Sequence, residues 1–221
     1  MKSEFTEKKT IAWFTLAECV SRGERERAFG VYRLLSHSLD DRALALQLEG
    51  DLFCAFNMPT EALEKYDKAM RVYKQGGKLL EAAAVCEHMR LLDAHNPAYA
   101  QHALELYSTL QFEDRAADLL VLLVTTSANQ GAYDAACSVA SAVHELHNYG
   151  KQGFCYERVV AALSQMQQVP IHVRTVYLHK TISAYMQHGA QESITQFLGN
   201  LSARDQELYH VALKFLKDNH G

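Results

Sequence analysis

Proline is scarce in this chain of 221 residues, with 3 in all, and its 11 glycines are spread thinly, so breaks in regular structure are few. Strict alternation of apolar and polar residues, the mark of a half-buried strand, is missing throughout. No apolar run approaches the roughly 20 residues of a membrane-spanning helix. The longest, Leu119 to Val124, reads as the interior of a buried helix, and no membrane insertion is expected. The first residues are polar and charged rather than a basic stretch leading into an apolar one, so no secretory signal is visible and a cytoplasmic protein is expected.

Charge of one sign is lacking too. The 26 acidic and 22 basic residues are interspersed and leave a formal net charge of -4, without the clustered Lys and Arg of a nucleic-acid footprint. The 5 cysteines are scattered and odd in number with no C-x-x-C pair, which suits reduced core thiols better than a disulfide framework or a closed zinc site. Nucleophile elbows, glycine-rich phosphate cradles, Walker sequences and His-Glu-x-x-His are all missing. No catalytic residue, cofactor site or metal site is therefore assigned, and a non-enzyme is expected.

What is present is a 48% apolar composition recurring every three or four positions, the period of helices. Helices are expected over about 10–22, 24–38, 40–56, 60–74, 78–95, 97–110, 113–129, 132–148, 154–167, 173–188, 191–198 and 202–218. The first places Ile11, Phe14, Ala17 and Val20 on one stripe, with Gly23 as a left-handed stop. Asp40 is the expected cap of the third, Asn57-Met58-Pro59-Thr60 a joint, and Asn96-Pro97 a cap followed by a first turn. Gly131 marks a tight joint, Gly150 with Gly153 a closure, and Ser202-x-x-Asp205 a capping box with Asp in the place of Glu or Gln.

Residue types also recur at long period. From Ala43 to Gly76, Leu46, Gly50, Phe53, Ala62, Tyr66 and Ala69 take the fourth, eighth, eleventh, twentieth, twenty-fourth and twenty-seventh places of a 34-residue unit. One period earlier stand Ala28, Tyr32 and Leu35. Ala103, Tyr107 and Leu110 repeat the second-helix pattern 41 residues after Ala62, and Gly131, Tyr133, Ala136, Ala140 and Val143 restore it after 33 more. Beyond Gly150 the pattern fades while helical periodicity continues.

These residues make the chain resemble the tetratricopeptide repeat family. The resemblance implies an all-α fold, a right-handed solenoid of antiparallel helix pairs, with repeats over about 9–42, 43–76, an irregular 77–116 and 117–150. Residues 151–221 would be divergent repeats or a C-terminal helical cap. In such arrays small residues let the paired helices approach and aromatic groups fill the wedge to the next pair. Family members commonly hold a peptide or a partner helix on the face lined by the first helix of each pair, which implies an adaptor or scaffold subunit here. The subset that grips acidic chaperone tails does so with Lys, Asn and Arg; this chain has Thr10, Trp13 and Ala17, then Leu44, Gln47 and Asp51, at those places, so that clamp is absent.

A groove carrying Trp13, Ala17, Val20, Leu44, Cys54 and Ala55 suits instead an apolar protein or peptide segment, and Trp13, Gln47, Asp51 and Cys54 are the candidate partner-binding residues. Two other readings remain open: a module that closes around a small ligand or peptide, and a helical enzyme or lipid-binding protein with a closed apolar cavity. The 11 histidines include His144-x-x-His147, two imidazoles on one helical face without a third ligand nearby, and His172, His179 and His188, which fall near one surface. Cys86-Glu87-His88 reads as a core thiol beside surface polar groups. The last helix is amphipathic through Leu208, Val211, Ala212, Phe215 and Leu216 and serves either as a cap or as a homodimer surface.

Overall fold

The apolar period becomes helix along nearly the whole chain. The computed structural model describes residues 2–166 and 169–219, with side chains from Thr10 onward. Among these residues there are twelve α-helices and no strand. They are α1 (Lys2–Ser21), α2 (Arg25–Ser36), α3 (Arg42–Ala55), α4 (Pro59–Gln75), α5 (Leu79–Leu92), α6 (Pro97–Thr109), α7 (Glu113–Asn129), α8 (Tyr133–Ser141), α9 (Tyr149–Ser164), α10 (Ile171–His188), α11 (Gln191–Arg204) and α12 (Gln206–Asn219). The expected end of the ninth helix at Gln167 lies outside the described residues. Among the described residues no helix is long and apolar enough to cross a membrane. Contacts divide the chain into two compact units, Met1–Leu106 and Tyr107–Gly221, within the expected third repeat, and α6 spans the division.

In the first unit, α1 packs on α2, α2 on α3, α3 on α4 and α4 on α5. The expected stripe of α1 is corrected: Ile11, Phe14 and Ala17 face solvent. Cys19 is instead buried with Ala28, Tyr32 and Leu52, and Leu16 and Val20 pack beside it. Gly23 does end the segment with φ 72°, a left-handed conformation in which a Cβ is strained. The cap of α3 is Asp41 rather than Asp40, because its Oδ1 reaches both orphan amides, Ala43 N at 2.9 Å and Leu44 N at 3.1 Å. Lys78 at the entrance of α5 donates to the other Asp41 oxygen at 2.5 Å, and this bond, followed by the amide of Leu44, holds the carboxyl below its ordinary range. Pro59 opens α4, where its missing N–H costs nothing.

In the second unit, α7 packs on α8 and α9, α9 on α10, and α10, α11 and α12 on one another. The helix expected over 132–148 is interrupted: α8 ends at Ser141, a 3-10 turn covers Ala142–Glu145, and Leu146 is extended. Asn148 forces this break by capping α9, its Oδ1 accepting from Lys151 N at 3.1 Å. Gly150 and Gly153 then lie inside α9 instead of closing a segment. The capping box at Ser202 is corrected as well. Ser202 is inside α11, and Asp205 itself caps α12, accepting from Leu208 N at 3.1 Å while Arg174 Nη1 donates to its other oxygen at 2.7 Å.

The apolar side of α12 turns inward, with Leu208 and Ala212 buried and Phe215 stacked on His179 of α10 at 4.0 Å between ring centres. Burial holds the His179 imidazole below its ordinary range. A histidine that is harder to protonate folded than unfolded contributes stability at neutral pH, and that contribution falls as pH drops through the free-histidine value of about 6.5. Limited proteolysis of α12 is expected to quicken between about pH 7 and pH 5, and this change is expected to vanish in His179→Phe, which keeps the stack without the titration.

Candidate functional site

Three of the four candidate binding residues, Gln47, Asp51 and Cys54, lie one and two turns apart along α3, and each is engaged by a tyrosine of α4. Tyr73 donates to Gln47 Oε1 at 3.0 Å, Tyr66 donates to Asp51 Oδ1 at 2.6 Å, and Cys54 Sγ lies 3.5 Å from the same phenol oxygen. Burial, reinforced by the bond to Asp51, pushes the Tyr66 phenol far above its ordinary range. The same burial and bond favour Tyr66 as the neutral donor to Asp51. Tyr73 is raised as well, again chiefly by burial.

The close approach of α3 and α4 makes this possible. A Cβ on Gly50 would stand 2.7 Å from Tyr66 Cε1, so the ring occupies the space that any larger residue would fill. Lys65 and Glu49 join the same two helices by an ion pair of 2.8 Å.

Beside this network opens a cleft of about 330 Å³, lined by Asp51 and Cys54 of α3, Tyr66 of α4, and His88, Leu91 and Leu92 of α5. Its size is at the lower end of ligand-sized pockets, about 300–1,000 Å³. Leu91 is 76% exposed and Leu92 38%, an apolar pair that the first unit leaves uncovered. His88 meets Tyr66 edge to face, with ring centres 5.8 Å apart. Cys54, His88 and Asp51 are residue types that make a nucleophile, a base and an orienting carboxylate. Here no hydrogen bond joins His88 to either partner among the described residues, and Asp51 is held by Tyr66. The linkage a charge-activated thiol requires is not formed.

Trp13 is not part of this cleft. It is half-buried on α1, and Val20 of the expected groove packs against the Cys19, Ala28, Tyr32 and Leu52 cluster. Gln47 stands next to the cleft as the anchor of Tyr73. The residues that sequence reasoning missed are Leu91 and Leu92. The expected helix to His95 would have carried them in its interior, but α5 stops at Leu92 with Asp93 as its cap. Two adjacent leucines, of which one helical stripe buries only one, were the available signal.

The histidine pairs do not assemble. His144 sits in the 3-10 turn with its Nδ1–H on Ser141 O, whereas His147 lies beyond it and donates through both backbone N and Nδ1 to Glu113 Oε1, at 2.9 and 3.0 Å. The expected shared helical face is thus broken. His179 faces α12, and His188 lies against Gly150, so no common histidine surface forms with His172. Among the described residues no three His, Cys, Asp or Glu side chains converge as metal ligands. Cys86 and Cys155 are buried thiols, each pushed up to about 12 by burial. No family model matches the chain, and no curated protein is found to be similar to it.

Proposed function

We propose that this chain is a non-catalytic interaction protein of tetratricopeptide-like build, an adaptor or scaffold subunit that holds an apolar segment of a protein partner in the cleft between α3, α4 and α5. The observation that carries this reading is the pairing of the exposed Leu91 and Leu92 with the Tyr66–Asp51 bond at one cleft. The leucines supply area to be removed from water, about 25 cal/mol for each Å². Asp51, whose Oδ2 has no hydrogen bond to a described residue, supplies a fixed acceptor for a donor on the entering segment. The repeat-like build draws support from the Gly50–Tyr66 contact between paired helices, the two residues at the eighth and twenty-fourth places of the unit.

The test is affinity capture of the tagged full chain beside its Leu91→Glu variant, with quantification of what is retained. Leu91 is so exposed that the substitution leaves folding intact. A stoichiometric protein held by wild type and reduced about tenfold or more by Leu91→Glu is the expected result. A protein retained equally by both would remove the cleft from the account, and a small molecule in its place would favour the ligand-sensing reading.

A further inference from the structure

The second unit carries a cleft of different chemistry, about 350 Å³ in volume, between α9 and α11. Its floor is apolar, built on the buried Val160, Phe197 and Leu201. Its rim is polar and holds two guanidinium groups, Arg158 and Arg204, neither of which makes an ion pair with a described residue. Arg158 only lies over the Phe154 ring, at 5.2 Å.

Two carboxylates also border the cleft, but both are engaged elsewhere. Glu157 accepts from Tyr185 at 2.8 Å. Asp205 uses one oxygen for Arg174 and the other for the amide of Leu208. The lining itself holds two cations and two anions; Arg174, outside the lining, neutralises Asp205, which leaves an excess of one positive charge at the cleft in a chain whose formal net charge is -4.

Gln165, Gln196 and Asn200 complete the rim, and none of their side-chain amides is hydrogen-bonded to a described residue. An amide offers a donor and an acceptor together, which matches a peptide group. Ser164, whose Oγ is buried without a hydrogen-bond partner among the described residues, lines the same cleft.

We propose that this cleft binds an extended peptide segment bearing an acidic side chain, with Arg158 and Arg204 receiving the carboxylate and the three side-chain amides receiving the backbone. A guanidinium donates paired charge-assisted hydrogen bonds to a carboxylate, which fixes orientation as well as sign. An excess of one positive charge suits a single carboxylate. Glu157 and Asp205 stand against a polyphosphate, whose charge density they would repel. The apolar floor and the amides give a peptide contacts that a free small anion would leave unused.

The experiment uses the full chain labelled for NMR of its arginine Nε–H groups and three probes: acetyl-Gly-Glu-Gly-amide, its Gln counterpart, and glutarate. The Glu peptide is expected to shift the Arg158 and Arg204 signals saturably and to bind about tenfold or more tightly than the Gln peptide or glutarate. The Arg158→Gln, Arg204→Gln double variant, with both positions exposed and the melting temperature kept, is expected to lose this binding by about the same factor. Equal binding of the Gln peptide removes the acidic requirement, and equal binding of glutarate makes the site one for small anions. Either result, full retention by the double variant, or the absence of any saturable shift overturns the proposal.

Discussion

Tyr66→Ala is expected to destabilise the first unit by about 3–5 kcal/mol, the cost of emptying a fully packed aromatic site. The ring is 2% exposed, fills the space left by Gly50, and carries the hydroxyl that binds Asp51. Tyr66→Phe keeps the packing and loses only the donor to a partly solvated carboxylate, so about 1–2 kcal/mol is expected. The two helices add a sharper criterion. In the wild type, Gly50→Ala forces its Cβ into the Tyr66 ring and costs stability despite alanine's better helix propensity. In the Tyr66→Ala background that obstacle is gone, and the same substitution is expected to stabilise by up to about 1 kcal/mol. Urea denaturation of the four members of this cycle measures the reversal; additive effects would show that the Gly50–Tyr66 contact is not what sets the α3–α4 spacing.

The second large effect is expected at Gly153→Val. A Cβ there would stand 2.5 Å from Tyr185 Cδ1 and Cε1, and the ring cannot swing aside because it is buried and donates to Glu157. Overpacking and the β-branched penalty in a helix together cost about 3 kcal/mol. Gly199, in the middle of α11, has nothing within 4 Å of a built Cβ. Gly199→Ala is therefore expected to stabilise the same unit by about 0.5–1 kcal/mol. Two helix-interior glycines would thus respond with opposite signs, and thermal melts of Gly153→Val and Gly199→Ala decide it.

The contrast between these glycines also shows what the sequence reveals. Gly50 and Tyr66 are 16 residues apart, a spacing that a search for repeat units finds, and the structure brings the two into contact. Gly153 and Tyr185 make the same kind of contact across 32 residues, because Gly153 lies near the start of α9 and Tyr185 near the end of α10, far from the joint, so a fixed spacing passes over them. Helices and most joints were legible because period and turn residues act locally: α7 occupies Glu113–Asn129 as expected, and Gly23 and Gly131 both adopt left-handed φ.

Faces were less legible than helices. In α1, Ile11 and Phe14 lie on one stripe and Leu16, Cys19 and Val20 on another, so periodicity offers two solutions and only the neighbouring Tyr32 and Leu52 select the second. The candidate site was legible in half. The polar row of α3 follows from its own spacing, and Asp51 and Cys54 do reach the cleft. Gln47 and Trp13 do not line it, and its apolar wall depends on α5 stopping at Asp93, where no glycine or proline announces the end. Asn148 hides a helix start in the same manner, since a cap competes with helix continuation through one side-chain hydrogen bond that composition alone does not weigh.

Receipt of a partner segment by the cleft between α3, α4 and α5 is directly testable at Leu91. The most direct measurement places a photo-reactive leucine analogue at position 91 in the full chain, irradiates it with its captured partner, and identifies the cross-linked peptide by mass spectrometry. One apolar segment of a single protein, cross-linked from position 91 and not from a control position on exposed Leu34, is the predicted result. A partner that remains bound yet cross-links only from Leu34, or from neither position, would contradict it.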